Sequence, residues 1–159
     1  MKVREKEPKD QPWIDTILNE RWGSRGLIVV HGEVVDARNL PALIAGEQQG
    51  LATYQVRRTI DVVVAELITL DAIKVRQGVG TALIEFLITR LRAEGVGLLR
   101  VTTTNDNLDA LRFYQRRGFR IMVVRPGAVD DARRIKPSIT AIGEYGIPLR
   151  DEIELERQF

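Results

Sequence analysis

Cysteine is absent from the 159 residues, and histidine occurs once, at His31. Without cysteine there is no disulfide, no thiolate nucleophile and no cysteine-ligated zinc, so the fold cannot depend on an oxidising compartment. Charge of one sign is also missing: Lys plus Arg total 24 against 22 Asp plus Glu, a formal net charge of +2. Basic residues are scattered among acidic ones, with no Lys/Arg block interleaved with aromatics, and nucleic acid is not an expected partner. No apolar run reaches the ~18 residues of a membrane span. The N-terminal "MKVREKEPKDQP" has no apolar core of the signal-peptide kind. The expectation is a cytoplasmic protein without a membrane partner. Its length suits one domain over 1–159, with 1–10 as a disordered lead-in.

What is present is periodic. "PWIDTILNERWG" carries apolar residues at helical spacing and a stop at Gly23. "GLIVVHGEVVDA" reads as β structure with a bend or bulge at His31-Gly32. Ala42 to Gly46 and Leu51 to Arg57 form the arms of a hairpin around Gln-Gln-Gly. Ile60 to Leu70 is the longest β-rich run, apolar on both faces, as in a central strand. "RQGVGTALIEFLITRLRAEGVG" places Leu83, Ile84, Leu87, Ile88 and Leu91 on one helical stripe that ends at Gly95. A buried strand "LLRVTTTN", a helix "LDALRFYQRRG" and a strand "FRIMVVRPGAV" follow, then a helical turn ended by Pro137 and a closing strand "IPLRDEIELERQF". The order predicts a mixed α/β domain around a central sheet, with a strand-helix-strand crossover in its second half.

"VRQGVGT" stands between the longest strand and the strongest helix. Gly78 and Gly80 remove two Cβ atoms where the chain turns into that helix. Either this is a tight turn, or backbone N–H groups and the helix dipole cradle an anion there. A Walker loop would need a lysine that Gly80-Thr81 lacks. A Rossmann fingerprint fails at Leu83, its third glycine position.

The second motif is N-x-x-A-x-x-F-Y-x-x-x-G-F, met by Asn107, Ala110, Phe113, Tyr114, Gly118 and Phe119. Together with the preceding strand and Gly-x-Gly turn, it resembles the GNAT superfamily of N-acyltransferases over about Ile60 to Phe119. The resemblance implies a GNAT fold, with a mixed, mostly antiparallel twisted sheet flanked by helices. It also implies acetyl-CoA as acyl-donor substrate and a primary amine, small or peptidic, as acceptor; it leaves a homodimer open. Pyrophosphate would rest on Arg76, Gln77, Gly78, Val79, Gly80 and Thr81. The pantetheine arm would pair with the central strand at Thr69 to Ile73, which includes Leu70 and Ala72. Asn107 and the segment before it would line the pantetheine side. One position departs from the family pattern: Val75 stands where Gln or Arg is usual, with Arg76 and Gln77 beside it.

Direct transfer to an amine requires a base, an oxyanion donor and an acid for the departing thiolate. Tyr114 is the candidate acid, unless Phe113-Tyr114 is a core aromatic pair with its hydroxyl tied to backbone. Glu66, a carboxylate within an apolar strand, resembles the general base of the histone-acetyltransferase branch. Burial would raise its pKa towards a useful value. The plain alternative is an ion pair with Arg100 or Arg57. His31 has a suitable pKa but precedes Gly32 in an apparent exposed turn. Asp36 and Asp71 are candidates for selecting a cationic amine. The charges of "RDEIE" read by default as solvated pairs, with a role in lining the acceptor pocket or in a dimer contact as the alternative. A CoA-binding regulatory or structural domain of the same fold is the rival reading.

Overall fold

The computed structural model describes all 159 residues. A seven-stranded sheet runs in the order β1-β4-β5-β6-β7-β9-β8, made of β1 (Val3–Glu5), β4 (Ala42–Ala45), β5 (Gly50–Arg58), β6 (Val63–Ala72), β7 (Leu98–Thr104), β8 (Arg120–Arg125) and β9 (Glu152–Gln158). Every pairing is antiparallel except β6 with β7. A separate hairpin is formed by β2 (Leu27–Val30) and β3 (Glu33–Asp36). The helices are α1 (Gln11–Trp22), α2 (Val79–Ala93), α3 (Leu108–Arg116) and α4 (Ala128–Ile135).

Strand alternation divides the core into two clusters. Ala65 and Leu67 of β6 join Leu99, Val101 and Leu155 under α2, whose Leu83, Ile84, Leu87, Ile88 and Leu91 are at most 2% exposed. Burying such a side chain contributes ~1.5–3 kcal/mol. On the opposite face, Ile44, Leu51 and Ile68 pack against Ile14, Ile17 and Leu18 of α1. Residues 66, 102, 152 and 154 take the same opposite side further along the sheet, where no long helix lies over them.

Two irregularities in β6 shape the site. Thr53 pairs with Thr69 but Tyr54 pairs with Leu67, so Ile68 is one residue too many and forms a bulge. Towards β7 the pairing is brief: only Ala65–Leu67 match Leu99–Val101, although β6 runs on to Ala72 and β7 to Thr104. Beyond that point β7 stays with β9, and β6 leaves it, opening a gap in the sheet.

Three expectations need correction. The first ten residues are not a disordered lead-in: Val3–Glu5 pair with β4, and Asp10, 3% exposed, accepts two hydrogen bonds from Arg4 at 2.7 and 2.8 Å. Their charges are spent on each other, which a reading of composition does not reveal. His31-Gly32 is no bulge but the two-residue loop of the β2–β3 hairpin, with φ of 53° and 72°. Two successive positive φ values give the twist that a right-handed hairpin needs. The "RDEIE" charges are not solvated throughout, since Glu152 and Glu154 are 5% and 4% exposed. Both edges of β9 are paired, with β7 and β8, and on the face of Glu152 and Glu154 lies the hollow walled by α4 and the β2–β3 loop.

Candidate active site

The glycine turn and α3 enclose a cleft of about 930 Å³ on the α2 side of the gap. Gly78 caps α2 in the left-handed region at φ 74°, which suits a residue without Cβ. Gly80 is needed for a different reason: a Cβ there would lie 2.9 Å from Phe113 Cζ, so its absence lets α3 approach α2. Of the residues expected to bind the donor, Leu70, Ala72, Arg76, Gly78, Val79, Gly80, Thr81 and Asn107 all line this cleft. Gln77 does not; it is exposed beside it. The cleft is strongly cationic, with Lys74, Arg76, Arg112, Arg116 and Arg117 on its walls against one carboxylate, Asp109. Asp109 is already engaged by the Tyr145 hydroxyl at 2.6 Å. Arg117 is fixed by Thr81 Oγ1 at 2.8 Å, by the Phe113 carbonyl at 2.9 Å and by stacking 3.7 Å over the Phe113 ring. Sequence reasoning named Arg76 but missed Lys74, Arg112, Arg116 and Arg117. Arg112 and Arg116 are four apart on α3 and share a face, but only the docking of α3 turns that face to the glycine turn.

Tyr114 is 6% exposed, wedged edge-on between Phe113 and Phe119, and lines the same cleft. Its hydroxyl makes no hydrogen bond within the protein, so the alternative of a backbone-tied phenol does not describe it. Burial pushes its pKa up, with the Asp71 carboxylate adding to the effect.

The Asn-Asp-Asn cluster before α3 is largely structural, contrary to expectation. Asn105 Oδ1 accepts from the N–H groups of Arg150 and Asp151, both at 3.0 Å, and its amide donates to the Pro148 carbonyl at 2.9 Å. Asp106 accepts from the Glu144 N–H at 2.8 Å. Asn107 alone reaches the cleft, and its Oδ1 caps α3 through the Ala110 N–H at 3.2 Å. These side chains hold the returning 143–151 segment against the strand end.

Glu66 sits elsewhere, in a second hollow of about 530 Å³ on the opposite side of the sheet, beneath α4 and the β2–β3 loop. It is 3% exposed and pairs with neither suggested arginine: Arg57 is held by Glu33, and Arg100 by Glu156 and Glu154 at 3.0 and 3.5 Å. Instead His31 Nε2 lies 3.3 Å from Glu66 Oε1 and 3.3 Å from Thr102 Oγ1. The Glu66 contact has ion-pair distance without the alignment of a hydrogen bond, since Oε1 has no bonded partner by that stricter geometry. Glu66 raises the His31 pKa, and burial partly opposes it. His31 is thus no exposed turn residue; its side chain is 20% exposed and faces the hollow. Asp36 and Asp71 do not reach it. Asp36 holds Arg38 at 2.9 Å, and Asp71 accepts from Trp22 Nε1 at 2.9 Å.

Comparison with known proteins gives these two hollows a context. The model of the acetyltransferase (GNAT) family matches residues 68–119, the span from the β6 bulge to the end of the α3 motif. The uncharacterized protein YdhI of Bacillus subtilis (strain 168) is 34% identical over 134 residues, covering 84% of this chain and 83% of its own. A second protein of that organism, the uncharacterized YxbD, is 32% identical over 154 residues, 95% of this chain and 93% of its own. Among solved structures, a GNAT family acetyltransferase from Elizabethkingia anophelis with acetyl-CoA bound superposes with a TM-score of 0.67 at 19% identity, over 99% of this chain and 97% of that one. The chain belongs to the GNAT family of acetyltransferases.

Proposed function

We propose that this chain is an N-acetyltransferase that moves an acetyl group from acetyl-CoA directly to a primary amine. The observation that carries this reading is the parting of β6 from β7 beyond Leu67 and Val101, beside a cationic, glycine-lined helix start. An unpaired strand edge offers N–H and C=O groups to an amide-containing arm, as an added strand would use them. The N–H groups of the glycine turn, the helix dipole and five cationic side chains suit a pyrophosphate. That the Elizabethkingia protein carries acetyl-CoA favours the same donor. A donor of that kind is drawn from the cytoplasm, which supports that address.

In this reading the amine nitrogen attacks the thioester carbon from the Glu66 side of the gap. Backbone N–H groups of β6 near Leu70 hold the oxygen as it becomes an oxyanion. Glu66 takes the proton that the amine loses, through a water. The C–S bond breaks, and Tyr114 supplies a proton to the departing sulfur. Burial keeps the Tyr114 proton in place across the working pH range. No covalent enzyme intermediate is needed, in keeping with a chain without cysteine.

Thermal unfolding with acetyl-CoA, with ATP and NAD as controls, tests the donor. At a hundredfold excess over Kd, binding adds ~2.7 kcal/mol, a rise of roughly 5 to 10 °C for this length. A rise with acetyl-CoA alone supports the reading, and amine-dependent release of free thiol then establishes turnover. No rise with any CoA species removes it. A homodimer would close on the free edge of β8, where Ile121, Met122, Val123 and Val124 are all exposed. Sedimentation of the wild type against Val123→Lys tests that contact: a monomer in both rules it out.

A further inference from the structure

Glu66, Glu152 and Arg125 line the hollow of about 530 Å³ under α4, and each carries one buried side-chain atom without a hydrogen-bond partner in the protein, Oε1, Oε1 and Nη1 in turn. Glu66 and Glu152 are themselves 3% and 5% exposed. A buried polar group left unsatisfied is costly, and three converging on one cavity mark a site shaped for a ligand. The remaining charges on its walls are already matched. Arg57 is held by Glu33, Arg100 by Glu156, Glu154 by Arg100 and Arg125, and Asp131 by Arg134. Glu66 Oε1 has His31 Nε2 at 3.3 Å without hydrogen-bond alignment, so the unspent capacity is a carboxylate without any ion pair (Glu152), the hydrogen-bonding capacity of that Glu66 oxygen and one N–H end of Arg125. Arg125 and Glu152 are direct cross-strand partners on β8 and β9, so acceptor and donor stand side by side.

We propose that the acceptor is a small aminocarboxylate, of amino-acid size, whose ammonium is held by Glu152 and Glu66 and whose carboxylate is held by Arg125. This rests on the acetyltransferase reading and names its substrate class. A simple alkylamine would leave Arg125 Nη1 unpaired, and a diamine would bring a second cation to it. The carboxylates bind the amine as its ammonium. Glu66 then takes, through a water, the proton that frees the nitrogen to attack. Burial raises the Glu152 carboxyl pKa, and the nearby His31 and Arg125 charges only partly oppose it. An arriving ammonium supplies the counter-charge that this carboxylate lacks.

The test is calorimetric titration of the full chain, alone and saturated with CoA so that nothing turns over. Probes are the common α-amino acids and a series of ω-amino acids, each against the alkylamine and the alkanoate of equal length. At least one aminocarboxylate should bind at least ~10-fold tighter than both of its monofunctional counterparts. Arg125→Met should remove that advantage without weakening the alkylamine. Arg125→Lys, which keeps the charge beside Glu154, should restore part of it. Glu152→Gln should weaken both amine-bearing probes and spare the alkanoate. Equal binding of amine and aminocarboxylate, binding indifferent to Arg125, or no binding by any probe would overturn the proposal. Acetyl-CoA raising the unfolding temperature while every aminocarboxylate fails would sink this proposal and leave the acetyltransferase reading intact. The opposite pattern would keep the site and remove acetyl transfer.

Discussion

Tyr114→Phe deletes one hydroxyl that bonds to nothing in the protein and leaves the ring packed against Phe113 and Phe119. Stability should therefore hold, and the KM for acetyl-CoA should change little. Turnover should fall ~10²- to 10⁴-fold, the usual worth of a positioned acid. Unchanged thiol release would take Tyr114 out of the mechanism. Glu66 and His31 are separated by pH. The Glu66 carboxylate holds the His31 pKa above its ordinary value, so removing that charge must lower it. If His31 is the group that must lose a proton before catalysis, Glu66→Gln moves the acidic limb of the pH–rate profile to lower pH. If Glu66 is that group, the limb disappears. A limb that neither moves nor vanishes assigns the base to neither. Gly80 is a poorer probe of the glycine turn than the sequence implies. A Cβ there strikes Phe113 first, so Gly80→Ala would disturb α3 packing and Tyr114 together.

Among the elements, the N-terminal segment makes a pH-dependent contribution. Hydrogen bonds from Arg4, then from the Glu7 N–H, hold the Asp10 carboxyl down at about 2. A native pKa below the unfolded value of ~3.9 stabilises fully above that value, and the stabilisation is lost as pH falls towards the native one. Asp10→Asn should therefore lower the unfolding midpoint at pH 7, and the difference from wild type should close as the pH approaches about 2. A constant difference across that window would mean that the charge is irrelevant. In α2, Leu87 is 0% exposed within the larger core cluster, and Leu87→Ala should cost ~2–5 kcal/mol by denaturant titration. Helix α3 depends on its cap. Asn107→Ala removes the bond to the Ala110 N–H and should cost ~0.5–2 kcal/mol, whatever it does to donor binding.

For the whole molecule, the arrangement of the two hollows has a kinetic consequence. They lie on opposite faces of one sheet, one lined by Tyr114 and the other by Glu66, and β6 parts from β7 beyond Leu67 and Val101. Donor and acceptor need not displace each other, and no nucleophile is placed to store the acetyl group. Initial-rate plots at several fixed donor concentrations should therefore intersect. Parallel lines, the mark of a covalent intermediate, would contradict direct transfer.

Much of this was legible in the residues alone, and for local reasons. The α2 stripe, the β6 run and the hairpin of β4 and β5 are written in periods of 3.6 and 2, and the motif ending in Gly118-Phe119 carries the family. The sequence by itself determined these elements because each depends on neighbours within a few residues: a cap, a turn glycine, an alternation. What it could not determine depends on partners far along the chain. The charges of β9 are plain, yet whether Glu152 and Glu154 meet water or protein depends on α4 and the β2–β3 loop lying over their face of the sheet. His31 reads as a turn, and only the placement of that turn over β6 and β7 brings it to Glu66 and Thr102. Asn105 and Asp106 look like ligand contacts until the returning segment takes up their hydrogen bonds. Local propensity fixes which element forms, but long-range packing decides which polar atoms are left without a partner.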